Sequence, residues 1–472
     1  MSKTLTLKLN RTAKTALAEQ IHLGIMTAID SGVLAPGARL PSWLDLAAQL
    51  GVARGTVKAA YERLADAQLV VASRPGGTRV AGRPIRTATP AHDAEMDPLP
   101  DLYRDFYPPG PAIFQNGVPA PDCFPVTLFS RLRSQAARKE VAGSPTYPDP
   151  RGAPELRREI AATLALSRGM DVRPSQIFIT VGFSGALGIV LRGLRREGRK
   201  AWIENPCFPP SRRALELSQL QPVPVPIDEN GIDVSYGLKH APDAALALVT
   251  PGQQAPLGST LSRVRRLQLI DWARDTGAWI IEDDYLGELQ LKRRAAPALA
   301  SLDKTGRVIH IGSFSKTISP TLRLGFLVAP RPLVSRFAEV VACLAPAPDS
   351  AVQLAIAEFI REGHYLRHLR RMKRIYASRS NALRVLLESK GYAALPAGLA
   401  ILLKLPDGAH DKVIAREARA YGLAPAPLSS WFASSTAKDV PQAGLLLGVA
   451  PSQEEQLPAA CKCLDRLIRK FS

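Results

Sequence analysis

Cysteine is scarce. Five residues, Cys123, Cys207, Cys343, Cys461 and Cys463, lie scattered over 472 positions, which excludes a disulfide framework. No CxxC pair and no His/Cys cluster stands at zinc-binding spacing, so no metal site is expected, and a reducing cytoplasm is the simplest setting. Long apolar runs are also missing: none approaches the roughly 20 residues of a membrane span. The N-terminal "MSKTLTLKLNRTAK" lacks the apolar stretch of a signal peptide. A cytoplasmic protein with no membrane partner is expected. Acidic side chains are under-represented, 42 Asp+Glu against 61 Lys+Arg, a formal charge of +19. That surplus favours an anionic partner, nucleic acid being the commonest.

The apolar content of 46% and charged content of 22% are those of a globular chain, and 472 residues are too many for one ordinary core. Three stretches separate by composition. Residues 1–80 read as short helices with turn punctuation. Residues 81–110 hold six prolines and little apolar periodicity, as a linker does. Residues 111–472 alternate apolar strands with amphipathic helices. Basic charge is densest at the start, with 12 Lys+Arg and 5 Asp+Glu in residues 1–86.

In the first stretch, residues 16–34 carry apolar positions at helical spacing and stop at Ser31–Gly32. Residues 41–51 form a second short helix with Ser42 as N-cap, and 52–70 a third, entered through a tight turn at Gly51. Two short helices about such a turn make a helix-turn-helix. "VVASRPGGTRVAG" (70–82) then reads as a β-hairpin with a Gly-Gly turn, a basic wing able to lie along phosphates while the last helix enters the major groove.

In the third stretch, apolar runs at 176–182, 200–206, 246–251, 278–285 and 307–315 end in Gly, Pro or acidic turns, with helical patterns between them. Such alternation implies a mostly parallel sheet covered by helices, with ligands at the carboxyl ends of its strands. Those ends carry Gly182, Asn205–Pro206, Thr250–Pro251, Asp283–Tyr285 and Ser313–Lys316. In "HIGSFSKTISPTLRLGFLVAP" (310–330), Lys316 and Arg323 stand in what reads as buried sheet. A lysine in an apolar pocket has a lowered pKa and forms a Schiff base with an aldehyde. Ser313, Ser315 and Arg323 offer donors to a phosphate, and the phosphorylated aldehyde that satisfies all four is pyridoxal 5'-phosphate. Asp283 can pair with its pyridine nitrogen and keep the ring an electron sink. Tyr285, two residues on and facing the same side, can reach its phenolic oxygen. Gly182, Ser184 and Gly185 open a helix whose N-terminus favours phosphate, and Phe208 is placed to stack on the ring. His364 and His368 stand at i,i+4 without a third ligand and read as part of a packing helix in a basic run.

Two resemblances follow from these residues. "GVLAPGARLPS", "GVARGTVKAAYERL" and "RPGGTRV" are similar to the winged-helix domain of GntR-type bacterial repressors. That implies Arg54, Gly55, Thr56 and Lys58 at the start of the recognition helix and Arg74 and Gly77 in the wing. Where that family usually has arginine, two residues after "LPS", this chain has Leu44. "YPDPRGAPELRREIA", "VTPGQQAPLG", "WIIEDDY" and "GSFSKTISPTLRLGF" resemble fold-type I aminotransferases over 113–472. The two joined by a linker resemble the MocR subfamily of transcription regulators. The resemblance implies a multidomain fold: a mostly α winged helix-turn-helix plus a large α/β aminotransferase-like domain with a mostly parallel sheet. It also implies Lys316 as the Schiff-base lysine, operator DNA as partner, a homodimer, and a small-molecule effector, either pyridoxal phosphate or an amine or amino acid.

The substrate residues depart from the pattern. Family members that handle amino acids bring an arginine just ahead of a C-terminal apolar strand, and here Ala443 or Gly444 occupies that position in "AGLLLGVA". Phe208 replaces a tyrosine, and "PGQQ" (251–254) replaces "PSHQ". The expectation is a regulator with no catalytic residues, whose effector is pyridoxal phosphate itself or a ligand held by Arg212 or Arg213. The alternatives are a genuine aminotransferase with an accessory N-terminal domain, and a DNA-binding protein with a cofactor-free second domain.

Overall fold

The computed structural model describes residues 7, 9–13, 15–30, 33–67, 69–73, 77–81, 112–143, 146–291, 296–406, 408–433 and 443–471. The chain divides into two compact units, Met1–Pro98 and Leu99–Ser472. The linker expected at 81–110 lies, apart from residue 81, outside the described residues, as does the helix stop expected at Ser31–Gly32.

The first unit contains helices Leu17–Asp30, Trp43–Leu50 and Arg54–Asp66. Ser42 caps the second, its Oγ accepting from the Asp45 N–H at 3.1 Å. Gly51 ends that helix at φ 61°, a left-handed conformation that suits glycine. The chain turns there and re-enters helix at Arg54. Ile21, Ile25, Val57, Ala60 and Leu64 are fully buried between the three helices. Strands β1 (Val70–Ser73) and β2 (Gly77–Val80) pair antiparallel from Val70↔Val80 to Ser73↔Gly77. The expected wing is therefore present, but Gly77 is its first returning strand residue. Residues 74–76, Arg74 among them, lie outside the described residues.

The second unit holds β3 (Ile177–Thr180), β4 (Lys200–Asn205), β5 (Gln221–Asp228), β6 (Gly231–Ile232), β7 (Leu246–Val249), β8 (Trp279–Asp284), β9 (Val308–Ser313) and β10 (Gly325–Val328). They form one sheet in the order β3-β10-β9-β8-β7-β4-β5-β6. Neighbours from β9 to β5 run parallel, β10 runs antiparallel between β3 and β9, and β6 folds back on β5. All five strands read from periodicity are present. β5 went unseen because Pro222, Pro224 and Pro226 look like strand breakers. Their period of two leaves the missing N–H groups on one side, away from the ladder to β4.

Alternation sends successive side chains to opposite faces. Ile203, Leu248, Ile281, Ile309 and Ile311 pack with Leu187 and Val190 of the helix Gly182–Leu194. Trp202, Val249 and Ile280 pack on the helix Arg263–Thr276, where Trp202 stacks on Trp272 with ring centroids 3.9 Å apart. Beyond the large sheet, β11 (Ala394–Ala397), β12 (Ala400–Lys404), β13 (Ala426–Pro427) and β14 (Gly444–Gly448) make a four-stranded antiparallel sheet in the order β11-β12-β14-β13. The long helix His364–Glu388 and the helix Leu457–Phe471 pack with it.

Candidate functional site

The odd positions of β8 fix the first element. Trp279 and Ile281 face the helix Gly182–Leu194, and the same parity carries Asp283 to that face at the strand's carboxyl end. Asp283 is 8% exposed, and its Oδ1 is buried without a hydrogen-bond partner. A buried carboxyl oxygen with no donor is costly and marks a place where a ligand donor fits. Burial, reinforced by the neighbouring Asp284 carboxylate and partly offset by Lys316, pushes the Asp283 carboxyl well above its ordinary range.

Lys316 follows β9 in a turn in which the Ser315 N–H donates to Ser313 Oγ at 3.2 Å. Its Nζ donates to the Gly117 carbonyl at 2.5 Å, and desolvation lowers it from 10.5 to about 8, with Asp283 opposing the shift. Amine and carboxyl, each acting on the other's charge, are thus both pressed toward neutrality by burial. Tyr285 is half-buried, and burial followed by the Asp283 charge raises its phenol.

The helix Gly182–Leu194 starts at Gly182, where φ is 65° and a Cβ would meet nothing within 4 Å. Its first turn, with Ser184 exposed and Gly185 half-buried, presents free N–H groups at the end of β3. β10 approaches closely: a Cβ on Gly325 would lie 2.9 Å from Gly312 O and 3.0 Å from Gly182 Cα. Phe208 caps the helix Pro209–Leu217 and packs its ring on Trp431, with centroids 5.8 Å apart.

One expectation is corrected. Arg323 is not buried: it ends the turn Pro320–Leu322 at φ 50° with an exposed side chain, and the buried run begins at Leu324. The left-handed residue turns the chain into β10, so the guanidinium leaves the sheet's interior while the apolar residues after it enter.

Several contacts around the site were not read from the sequence. Gly117 stands 199 positions from Lys316, and its neighbour Phe114 sits fully buried at φ 68°, unusual for a non-glycine residue. The Phe114 N–H donates to Ser452 Oγ at 3.0 Å, and Phe114 bridges to Gly448 of β14. Glu204, at the end of β4, accepts from Thr250 N at 3.1 Å and Thr250 Oγ1 at 2.5 Å, and burial raises its carboxyl to about 7. On the opposite face of β8, Glu282 lies 3.0 Å from His310 Nδ1, and Asp284 pairs with Arg168 at 2.9 Å. His368 Nε2 lies 2.8 Å from Thr317 O, and Tyr365 donates to Thr317 Oγ1 at 3.2 Å, so the buried face of the helix His364–Glu388 supports the lysine turn. The only textual trace of these partners is a polar letter inside an apolar run.

The strand expected to present a carboxylate-binding cation is apolar. β14 is buried throughout, the Gly444 N–H donates to Asp411 Oδ2 at 3.3 Å, and a Cβ there would lie 3.1 Å from Leu403 O. Of the two arginines offered as replacements, Arg213 pairs with Glu216 at 2.8 Å. Arg212 is half-buried, with Nη1 buried and unpartnered.

An amine, a partnerless carboxyl and a helix N-terminus converging at the ends of a parallel sheet define the aminotransferase class of fold. Residues 129–424 match the family model "Aminotransferase class I and II", and residues 17–80 match "Bacterial regulatory proteins, gntR family". An archaeal alanine:glyoxylate aminotransferase superposes with a TM-score of 0.71 at 24% identity, covering 79% of this chain and 94% of its own. A kynurenine aminotransferase from Pyrococcus horikoshii superposes with a TM-score of 0.68 at 23% identity, covering 77% and 92%. Among curated proteins, the probable rhizopine catabolism regulatory protein MocR of Rhizobium meliloti is 34% identical over 94% of this chain and 92% of its own length. The pyridoxine biosynthesis regulator PdxR of Corynebacterium glutamicum is 32% identical over 79% and 80%. The chain belongs to the MocR-type transcription regulators, in which a GntR winged helix is joined to an aminotransferase class I and II domain. Pyridoxal phosphate is the cofactor of this fold. The orphaned Asp283 oxygen, the lowered Lys316 amine and the open cradle at Gly182 fit it.

Proposed function

We propose that this protein is a cytoplasmic homodimer that binds operator DNA through its winged helix and senses pyridoxal phosphate, or an amine or amino acid that reaches it, without sustained turnover. One observation carries the reading: the strand that would supply a carboxylate fork is apolar and buried from Gly444 to Gly448. When bound, pyridoxal phosphate supplies an aldehyde to an amine and an electron-withdrawing ring. Lys316 offers the amine, held by the Gly117 carbonyl; Asp283 would partner the ring nitrogen and Tyr285 the phenolic oxygen. Ser313, Ser315, Arg323 and the helix start at Gly182, Ser184 and Gly185 would hold the phosphate, and Phe208 would stack on the ring. An anionic group of an effector goes to Arg212, whose buried Nη1 lacks a partner.

On the DNA side, Arg54, Gly55 and Lys58 are exposed and Thr56 half-buried at the start of the recognition helix; Gly77 belongs to the wing hairpin, and Arg74 is the further residue assigned to the DNA contact. Two-fold operators require paired winged helices, which is the reason for a dimer. The effector acts by binding two DNA-binding geometries unequally. The test is a titration of operator binding with pyridoxal phosphate and candidate amines, alongside an amino-donor assay. Sustained turnover at an ordinary enzymatic rate, with operator affinity unmoved by any ligand, would favour the aminotransferase alternative.

A further inference from the structure

The helix His364–Glu388 carries seven Lys or Arg and one acid, Glu388, its last residue. Its buried face is formed by Tyr365, His368, Leu369, Met372, Tyr376, Leu383 and Leu387. At 100° per residue the opposite face is centred on Arg367, Arg370, Arg371 and Arg374, at i, i+3, i+4 and i+7, and all four are exposed.

Nothing within the described structure neutralises this stripe. The acids nearest in the fold are otherwise engaged or offer only backbone. Asp122 pairs with Arg379 at 2.5 Å and gives Arg371 only its carbonyl at 3.5 Å; Glu454 accepts from Ser378. Glu362 offers Arg367 its carbonyl at 3.1 Å, and Arg367 also meets His364 Nδ1. Arg370 and Arg374 have no hydrogen bond or carboxylate partner among the described residues. Elsewhere the same surface pairs its arginines, as Arg384 with Glu388 at i,i+4 and Arg361 with Glu358 at i,i+3. The stripe also occupies the first three turns of its helix, against the macrodipole, with no acid in the first turn. Like charges at adjacent ridge positions, facing water, are locally unfavourable and are relieved by a polyanion.

We propose that Arg367, Arg370, Arg371 and Arg374 form a second DNA-contacting surface that takes the phosphate backbone of duplex flanking the site read by the winged helix. The spacing suits it. Seven residues of helix span about 10 Å, and duplex DNA presents about one charge per 1.7 Å of axis, so three or more phosphates of one strand fall within reach. The contact is electrostatic and sequence-independent, and guanidinium forks match phosphate oxygens. The inference rests on the reading of the chain as an operator-binding regulator.

The experiment compares the full-length, cofactor-loaded protein with R367Q/R370Q/R371Q/R374Q on two duplexes, one limited to the winged-helix site and one extended on both sides. Affinity is measured against salt. On the extended duplex the variant's slope of log K against log[salt] falls by about 3 relative to the wild type. The advantage of the wild type near 50 mM salt then shrinks about 60-fold by 200 mM. On the short duplex the two proteins have equal slopes. R370Q/R374Q, which removes two side chains without any hydrogen bond, halves the effect and covers the case in which the fourfold variant misfolds. Equal slopes on the extended duplex overturn the inference, as does a variant that sediments as a monomer, which assigns the stripe to a second copy of the chain. If the wild type binds neither duplex, the operator-binding reading fails, and this inference fails with it.

Discussion

Replacing Lys316 with methionine in protein stripped of pyridoxal phosphate will stabilise the large unit at neutral pH. Desolvation lowers the folded amine from 10.5 to about 8, and each pKa unit corresponds to about 1.4 kcal/mol, so the shift amounts to about 3 kcal/mol. The sign follows from proton counting. Between the folded value and 10.5 the unfolded chain binds a proton that the native state does not, so stability rises with pH across that window. The whole cost is present below pH 8 and is gone above about 10.5. Against it stands the bond from Nζ to Gly117 O at 2.5 Å, whose loss removes about 1–2 kcal/mol and leaves a carbonyl unpaired. The net gain at pH 7 is about 1–2 kcal/mol, read as a higher urea midpoint for the large unit's transition at unchanged m. The difference narrows toward pH 9.5, where the wild-type amine is already neutral in the fold. A variant less stable than the wild type at pH 7, or a difference that does not narrow with pH, refutes the reasoning that Lys316 is a desolvated amine. The predicted gain, if measured, shows that the lysine lowers stability for the sake of function, as site residues commonly do.

Four further outcomes are expected. Pyridoxal phosphate uptake by the stripped protein rises with pH and levels off near pH 8, about 300-fold faster at neutrality than for an ordinary lysine, since uptake follows the free-amine fraction. A profile still rising above pH 9.5 contradicts the pocket as described. Glu204 behaves oppositely to Lys316: burial raises it from 4.5 to about 7, so the folded state alone binds its proton between those values and stability falls as pH rises. Glu204→Gln therefore gains on the wild type by up to about 3 kcal/mol between pH 4.5 and 7, measured by denaturation at both ends. Gly325→Ala places a Cβ against backbone of Gly312 and Gly182; it costs about 1–3 kcal/mol and weakens cofactor retention on dialysis, whereas full retention sinks the role given to that approach. Lys58→Ala weakens operator binding alike across sequences and reduces the salt slope by about 1, while Arg54→Ala relaxes discrimination at one base position.

Much of the site was legible because it sits where local pattern and position in the fold coincide. "WIIEDDY" is an apolar run ending in carboxylates, and a period of two alone sends Asp283 and Tyr285 to one face and Asp284 to the other. The lysine turn and the glycine helix start are short-range features with recognisable chemistry. Arg323 was misplaced because a buried run was extended back by one residue across a left-handed turn, which letter patterns do not mark in a non-glycine residue. The polar buttress was not legible at all. Glu204 finds Thr250, Glu282 finds His310 and Arg168 finds Asp284 across strands and helices tens to more than a hundred positions apart. Each of those letters alone is indistinguishable from a surface polar residue.

By itself, then, the sequence determined the two modules, the strand–helix alternation, the lysine, the carboxylate pair and the wing, since hydrophobic period, turn chemistry and caps are local properties. The lysine's state was a tertiary decision, because its amine is buried and hydrogen-bonded to a carbonyl 199 residues away. The fold also decided that Asp283 keeps an oxygen without a donor and that four arginines of one helix face solvent together. Burial, pairing and charge clustering depend on which distant segments meet, and only the packed chain specifies that.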